Sequence, residues 1–464
     1  MRKVCLLILF TTTFFFTGKA QFTDLHDFTG FDGRDPDGSL VLSGNRLFGM
    51  TDLGGVRYDA GTIFSVDTNG TGFKVLLTFN DTTGFQPDGS LIISGKLLYG
   101  LSAGGGAHGY GCIFSIDTNG SFYKDLYDFN ITNSPSWWAS LTLSGGKLFW
   151  MACNGGKSSI GGIFSIDTNG TNYKKLLDFN GTNGKYPYNS LIISGGKLYG
   201  MTCMGGLSSD GSIFSIDTNG SDFKNIFDFN RINGAGPYGN VTISGSKLFG
   251  MVSGGGTDSA GVIFSIDTNG NNYKALFNFH HTDGARPFGS LTLSGNILFG
   301  MTYSGGADSV GVIFSIDTNG SGYKKLLDFN NATGANPFGN LTLSGNMLFG
   351  MTHIYGPGGN GVIFSFKDTA IRTGINEILP HNATISIYPN PSQGIFAIES
   401  SVNSSQLLVE IYNILGEKVY NEALRQAQSD SKIDLSAQPS GIYLYRIISE
   451  KGDAIASGKL VIEK

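Results

Sequence analysis

A ten-residue string, Gly-Val-Ile-Phe-Ser-Ile-Asp-Thr-Asn-Gly at 261–270, constrains this chain more than any other feature, because it recurs every fifty residues. Near-copies begin at Gly61, Gly111, Gly161, Gly211 and Gly311, and a seventh starts at Gly361 and decays after Phe366. Internal repeats of about 20–50 residues signal solenoids, propellers or arrays, since one unit cannot bury its own hydrophobic face and must stack on its neighbours.

Four strand-like segments recur in each repeat. They are Leu-x-[Leu/Ile]-Ser-Gly from Leu40 onward, Leu-[Phe/Tyr]-Gly-Met as at Leu47–Met50, Ile-Phe-Ser, and [Tyr/Phe]-Lys-x-[Leu/Ile]-x-x-Phe as at Tyr173–Phe179. All are short, rich in β-branched or aromatic residues and bounded by Gly, Asn or Asp. Ser-Gly-X between the first two predicts a two-residue hairpin, and Asn-Gly after the third predicts another tight turn. Consecutive apolar residues in Val262-Ile263-Phe264 predict a strand buried on both faces.

The bookkeeping of segments points to a closed ring. After Gly361 the chain leaves the pattern without a fourth segment, whereas Leu25-His26-Asp27-Phe28 matches Leu176-Leu177-Asp178-Phe179 and precedes the first Leu40. Residues 24–28 are therefore expected to pair with the strand around Ile363–Phe366. Exchange of a terminal strand is how a β-propeller removes its open edges, and an open solenoid has no use for it. The expected fold is all-β: a seven-bladed β-propeller over 21–368, followed by a small second domain.

Composition agrees. Gly is 70 of 464 residues and charged residues are only 14 %, as in a tightly turned β protein. The net charge is −5, and loss of residues 1–20 would remove Arg2, Lys3 and Lys19 and no acid, shifting it to −8. No nucleic acid partner is expected from such a balance. Arg2-Lys3, the apolar run Val4–Phe16 and Gly18-Lys19-Ala20 read as a signal peptide over 1–20, too short in its apolar part to span a bilayer; no transmembrane segment is expected in the mature chain. Cleavage would leave Cys112, Cys153 and Cys203, an odd number that excludes a disulfide framework, with Cys112–Cys153 the pairing left open.

The b–c hairpin with its Gly-Gly looks like a Kelch-type blade. The string Leu-[Phe/Tyr]-Gly-Met-Thr-x-x-Gly-Gly…Gly-x-Ile-Phe more closely resembles the GloVer tandem repeat of bacterial surface proteins, which implies a surface-exposed propeller and no agreed chemistry. Residues 369–384, with Pro380, read as a linker. Beyond it, 385–464 carries Tyr388, Pro389, Asn390, Pro391 and Gly394, then Gly416, Gly441 and the terminal Lys459, Leu460 and Val461. That order resembles the type A C-terminal sorting domain of the type IX secretion system. The resemblance implies an immunoglobulin-like sandwich, the secretion machinery as partner for 385–464, and a secreted or cell-surface location.

Function is less legible. Loops between the fourth and first strands and between the second and third share one propeller face, so a site is expected there or in the channel mouth. Asp-Thr-Asn-Gly lacks the further acids of a calcium loop, and the six His show no metal-binding spacing, so no metal and no cofactor are expected. The Asp of the fourth strand (Asp128, Asp178, Asp328) reads as structural, and no pair of acids breaks the repeat as a catalytic pair would; no catalytic residue is assigned. What breaks the repeat is its third copy, with all three Trp: Trp137-Trp138 at the Pro-x-Gly position and Trp150 in place of the Gly of Leu-Phe-Gly-Met. These three form either a ligand platform or a mutually packed cluster. The leading reading is a binding or adhesion module for a glycan or protein. The alternatives are a propeller-based carbohydrate-active enzyme (lyase or hydrolase) and a purely structural surface protein.

Overall fold

The computed structural model describes residues 21–56, 58–134, 139–367, 385–390, 392–400, 406–413, 417–425, 431–449 and 454–464. The expected signal peptide, Trp137, Trp138, the linker, Pro391 and Gly416 lie outside the described residues. The described residues contain strands and no helix, so no helix among them is long and apolar enough to cross a membrane. They fall into two compact units, divided between 371 and 372, within the expected linker.

Among its described residues the first unit holds seven four-stranded antiparallel, propeller-like sheets, six built from one repeat each and one that completes the last repeat with a strand from the start of the chain. In the sheet of the fifth repeat, Thr242–Ser244, Lys247–Val252, Val262–Asp267 and Lys274–Asn278 follow in sequence order. The innermost strand is short and half-buried. The middle two are buried on both faces, as the unbroken apolar run Val262-Ile263-Phe264 predicts, and the outermost is exposed at its start. Gly44, φ +60°, opens the first hairpin, where a Cβ would be strained. The Asp-Thr-Asn-Gly turn differs from expectation. It is not a two-residue hairpin: Gly70 N donates to Asp67 O at 2.8 Å and Asp67 N to Thr71 O at 2.9 Å, and the next strand starts only at Lys74. Asp first and Gly fourth are the residues of a type I turn.

The terminal strands exchange as expected. Gln21–Asp27 runs antiparallel to Val362–Lys367, with Phe22 opposite Phe366 and Asp27 opposite Val362, in the order first-last-strand of the seventh sheet. Leu25 and Phe28 join one buried cluster with Leu40 and Phe64 of the first repeat and Phe349 and Ile363 of the last.

Near the axis the sheets are joined by hydrogen bonds. Ser39 N donates to Ser90 Oγ and Ser90 N to Ser140 Oγ, each at 2.8 Å, and Asn340 N returns to Ser39 Oγ at 2.8 Å, so the last repeat meets the first. The Gly of Pro-x-Gly is demanded here. A Cβ on Gly38 would lie 2.2 Å from Gly89 O, and one on Gly339 would lie 2.2 Å from Gly38 O. Adjacent loops touch backbone to backbone, which only Gly permits.

The second unit is two antiparallel sheets, one of three strands and one of four. Phe396, Ile398, Val409, Ile411, Ile447 and Leu460 form its core.

Candidate functional site

The loop between sheets and the loop between second and third strands lie side by side in six repeats among the described residues. Bridges Arg34–Leu53, Phe85–Gly104, Lys185–Met204, Ala235–Gly254, Ala285–Ser304 and Ala335–Ile354 join them. Two positions per repeat are thereby brought to the axial mouth: the residue between Pro and Gly, and the residue that follows the second strand. Among the described residues, the first position reads Asp37, Asp88, Tyr188, Tyr238, Phe288 and Phe338 around the ring; the second includes Asp52, Cys153, Cys203, Tyr303 and His353.

One side of the mouth is aromatic. Tyr188 stacks on Tyr238 at 5.1 Å, Tyr238 meets Phe288 edge-on at 5.0 Å, and Phe288 stacks on Phe338 at 5.3 Å. Tyr303 leans on both Phe rings, and Phe338 meets His353 edge-on at 5.2 Å. Such offset and T-shaped contacts suit the ring quadrupoles and hold the arc rigid. Beneath it, the thiols of Cys153 and Cys203 bond Tyr188 and Tyr238, and burial pushes both up to about 11. Cys112, Cys153 and Cys203 are all free, so Cys112–Cys153 does not form.

The other side is acidic, and here the sequence reading is corrected. It found no pair of acids that breaks the repeat, yet the ring brings Asp35, Asp37, Asp52 and Asp88 together with His353. His353 Nδ1 lies 2.6 Å from Asp37 Oδ1. Burial pulls the His353 pKa down, but the bond to Asp37 and the charges of Asp37, Asp35 and Asp52 outweigh it and hold it above its ordinary value. Asp52 and Asp88 are in hydrogen-bonding contact with each other, and neither Oδ1 has a protein donor. Asp88 is only 8 % exposed. Burial first, then the contact with Asp52 and the field of Asp37, hold its carboxyl well above the usual range; burial, with the charges of Asp37 and Asp35, outweighs the hydrogen bond to Asp88 and raises Asp52 too. Two carboxyls in contact away from water share a proton. Beyond them Arg34 grips Asp59 through two nitrogens, at 3.0 and 2.6 Å, and Asp35 at 2.9 Å.

Asp37, Asp88, Tyr238, Phe288 and Phe338 line the axial cavity, which encloses about 30 Å³. That is room for a water molecule or two, not for a sugar ring.

The acids of the fourth strand are structural, as read: Asp128 accepts from Ala107 N at 2.6 Å, Asp178 from Lys157 N and Asp328 from Ala307 N, each securing the long loop of its own sheet. No group of three His, Cys, Asp or Glu suited to a metal occurs among the described residues. Trp150 is not at the mouth. It is fully buried, stacked on Phe164 at 5.4 Å and tilted against Phe129 at 5.6 Å, so it cannot meet a ligand. In the other sheets the matching Phe ring covers the Gly: a Cβ on Gly250 would lie 2.5 Å from Phe264 Cζ. In the third sheet Gly162 faces Ala152, where the fifth has Val262 facing Val252. A Cβ on Gly162 would lie 3.0 Å from Phe164, so small residues at both positions leave room for the indole and the displaced ring.

In the second unit Asn390 ties the end of the chain: its Nδ2 donates to Lys459 O at 2.6 Å, and Val461 N donates to its Oδ1 at 2.8 Å. Leu460, between them, points into the core. Gly394, φ +107°, accepts from Leu435 N at 2.6 Å. Tyr388 ends the strand Ile385–Tyr388, and Gly441 opens the strand Gly441–Ser449.

The model of the Gloeobacter/Verrucomicrobia repeat matches residues 10–136, 123–302 and 244–378, which together cover most of the chain. The chain belongs to this repeat family. A second model, the secretion system C-terminal sorting domain, matches residues 386–463. This member of the repeat family is therefore a surface repeat protein exported through the type IX secretion system, to the cell surface or the extracellular space. No curated protein matches it. Among solved structures, it is similar to the extracellular domain described as a one-component system of B. thetaiotaomicron, at 12 % identity over 96 % of this chain and 59 % of that one, TM-score 0.48. It is also similar to an oligogalacturonate lyase in complex with manganese, at 10 % identity over 76 % and 95 %, TM-score 0.49. The polysaccharide lyase Uly1 is similar at 11 % identity over 72 % and 90 %, TM-score 0.47.

Proposed function

We propose that this repeat protein is a binding or adhesion module, presented outside the cell by its sorting domain, whose glycan or protein ligand docks on the axial mouth. In this reading the first unit is a seven-bladed β-propeller over 21–368 and the second an immunoglobulin-like sandwich over 385–464, joined by a linker at 369–384 and preceded by a cleaved signal peptide. One observation carries the reading: the aromatic arc Tyr188–Tyr238–Phe288–Phe338, held by two stacked contacts and one edge-on contact at the mouth of a rigid ring. Aromatic faces on a rigid scaffold offer apolar contact at little entropic cost. By repeat alignment Trp138 holds the position of Tyr188, and Trp137 that of Pro187, so we assign both to the same platform.

A glycan and surface-protein panel probed with mature chain 21–464 tests this. Binding that falls at least about ten-fold in Tyr238→Ala, and is unchanged in Phe122→Ala on a hairpin loop of the opposite face, supports it. Equal binding by both variants would sink it.

The acid–His cluster favours a second reading, a carbohydrate-active enzyme. Carboxyl spacing counts against a glycoside hydrolase: Asp52 and Asp88 are in hydrogen-bonding contact, whereas paired carboxyls of such enzymes stand about 5–9.5 Å apart. Release of reducing ends or unsaturated products from any glycan in the panel would reverse this order.

A further inference from the structure

We propose that the acidic side of the mouth takes a primary ammonium group, and that the ligand is a glycan carrying free 2-amino groups on its sugar rings. The inference rests on the reading of the mouth as a binding site and names its ligand class.

Four carboxyls, Asp35, Asp37, Asp52 and Asp88, face two cations. One of these, Arg34, is gripped by Asp59 and Asp35, and the other, His353, lies against Asp37. The remaining pair, Asp52 and Asp88, has neither a counter-cation in contact nor a protein donor to either Oδ1, and only a proton of its own relieves the repulsion. An ammonium brings the positive charge and three N–H donors in one compact group. Its arrival lets the pair ionise fully, because an opposite charge favours the charged form.

Shape and the facing wall narrow the choice. Phe288, Phe338 and Tyr238 line the same cavity as Asp88 and Asp37, so a cation there lies among ring faces as well as carboxyls. The enclosed 30 Å³ suits an –NH₃⁺. A compact ammonium matches a space of water size more closely than the broader, planar guanidinium does. The pyranose that bears the amine would remain outside, on Tyr188 and Tyr303, which border the cavity through Tyr238 and Phe288. The thin stem of a lysine would leave those rings uncovered, which is why the glycan is the source chosen. A neutral hydroxyl could donate one bond but would leave the carboxyl pair without compensating charge.

Calorimetry on mature chain 21–464 at pH 6, with hexamers of glucosamine and of N-acetylglucosamine, tests the proposal. The amine hexamer should bind at least ten-fold tighter. Its heat should change with the ionisation enthalpy of the buffer, because binding expels the shared proton. Asp88→Asn should abolish the preference, with Asp52→Asn as second variant if the first does not fold, while Tyr238→Ala should weaken both hexamers. Equal affinity for the two hexamers would overturn the ammonium and leave the binding reading standing. A preference that survives both Asn variants, a lysine-rich peptide that competes equally, or no binding of the amine hexamer would also overturn it. The wider panel decides the binding reading independently.

Discussion

His353 Nδ1 sits 2.6 Å from Asp37 Oδ1, so a residue of the last repeat and one ahead of the first share an ion pair at the axial mouth. The same junction that closes the ring thus sets the charge of the candidate site. Stability and site chemistry are coupled there, and the predictions below separate them.

Deleting residues 21–30 should give an unstable, aggregating chain. Leu25 and Phe28 are buried across the closure, and each contributes roughly 1.5–3 kcal/mol before the ladder with Val362–Lys367 is counted. A domain holds only about 5–15 kcal/mol in total. The freed strand would also expose a sheet edge. A soluble truncation with an unchanged melting temperature would contradict the closed ring.

Trp150→Gly restores the residue of the other repeats, yet it should cost about 3–5 kcal/mol, because Gly162 cannot fill the vacated space. Adding Gly162→Val should recover much of that loss, since the Phe164 ring could then settle over residue 150 as Phe264 does over Gly250. Denaturant melts of the two single variants and the double variant measure the coupling. Strict additivity would show that the two positions do not trade volume.

Three thiols should titrate in unfolded, unreduced mature protein, and almost none should react quickly in the folded state. Cys112, Cys153 and Cys203 are buried, and burial pushes each up to about 11, which leaves little thiolate near neutrality. A count of one in the unfolded protein would reveal a disulfide.

The melting temperature should be higher near pH 5 than near pH 8. Burial, then the charge of a neighbouring Asp, raises Asp24 and Asp125 to about 6, and His353 is also raised from 6.5. Groups raised on folding stabilise the protein below their unfolded values, and that contribution is lost as the pH climbs through the folded ones. Asp167 and Asp217, lowered from 3.8 by hydrogen bonds to Lys147 and Lys197, act oppositely and lose their contribution in stronger acid. The two trends place the optimum between about pH 4 and 6. A melting temperature that rises steadily to pH 8 would refute this assignment.

Much of the architecture is written locally. The strands, the hairpin Gly and the stranded Leu25–Phe28 segment are visible because sheet-forming periodicity and turn chemistry act over a few residues, and repetition multiplies a weak signal sevenfold. The Asn-Gly turn was misread in type because two geometries compete for the same residues, and the strand ends beyond it decide between them. The mouth was out of reach for a different reason. Asp37, Asp52, Asp88 and His353 each look like an ordinary loop residue, and nothing local marks them as neighbours. The middle residue of Pro-x-Gly runs Asp, Asp, Trp, Tyr, Tyr, Phe and Phe along the repeats, an asymmetry that the sequence does carry. Trp150, conspicuous in sequence, is buried, because volume lost at Ala152 and Gly162 makes space that only packing reveals. By itself, then, the sequence determined the ring, since each repeat must bury its faces against the next. Which side chains meet at the axis, and that Asp52 and Asp88 come together there with no donor to either Oδ1, was decided only when tertiary closure brought the first and last repeats into contact.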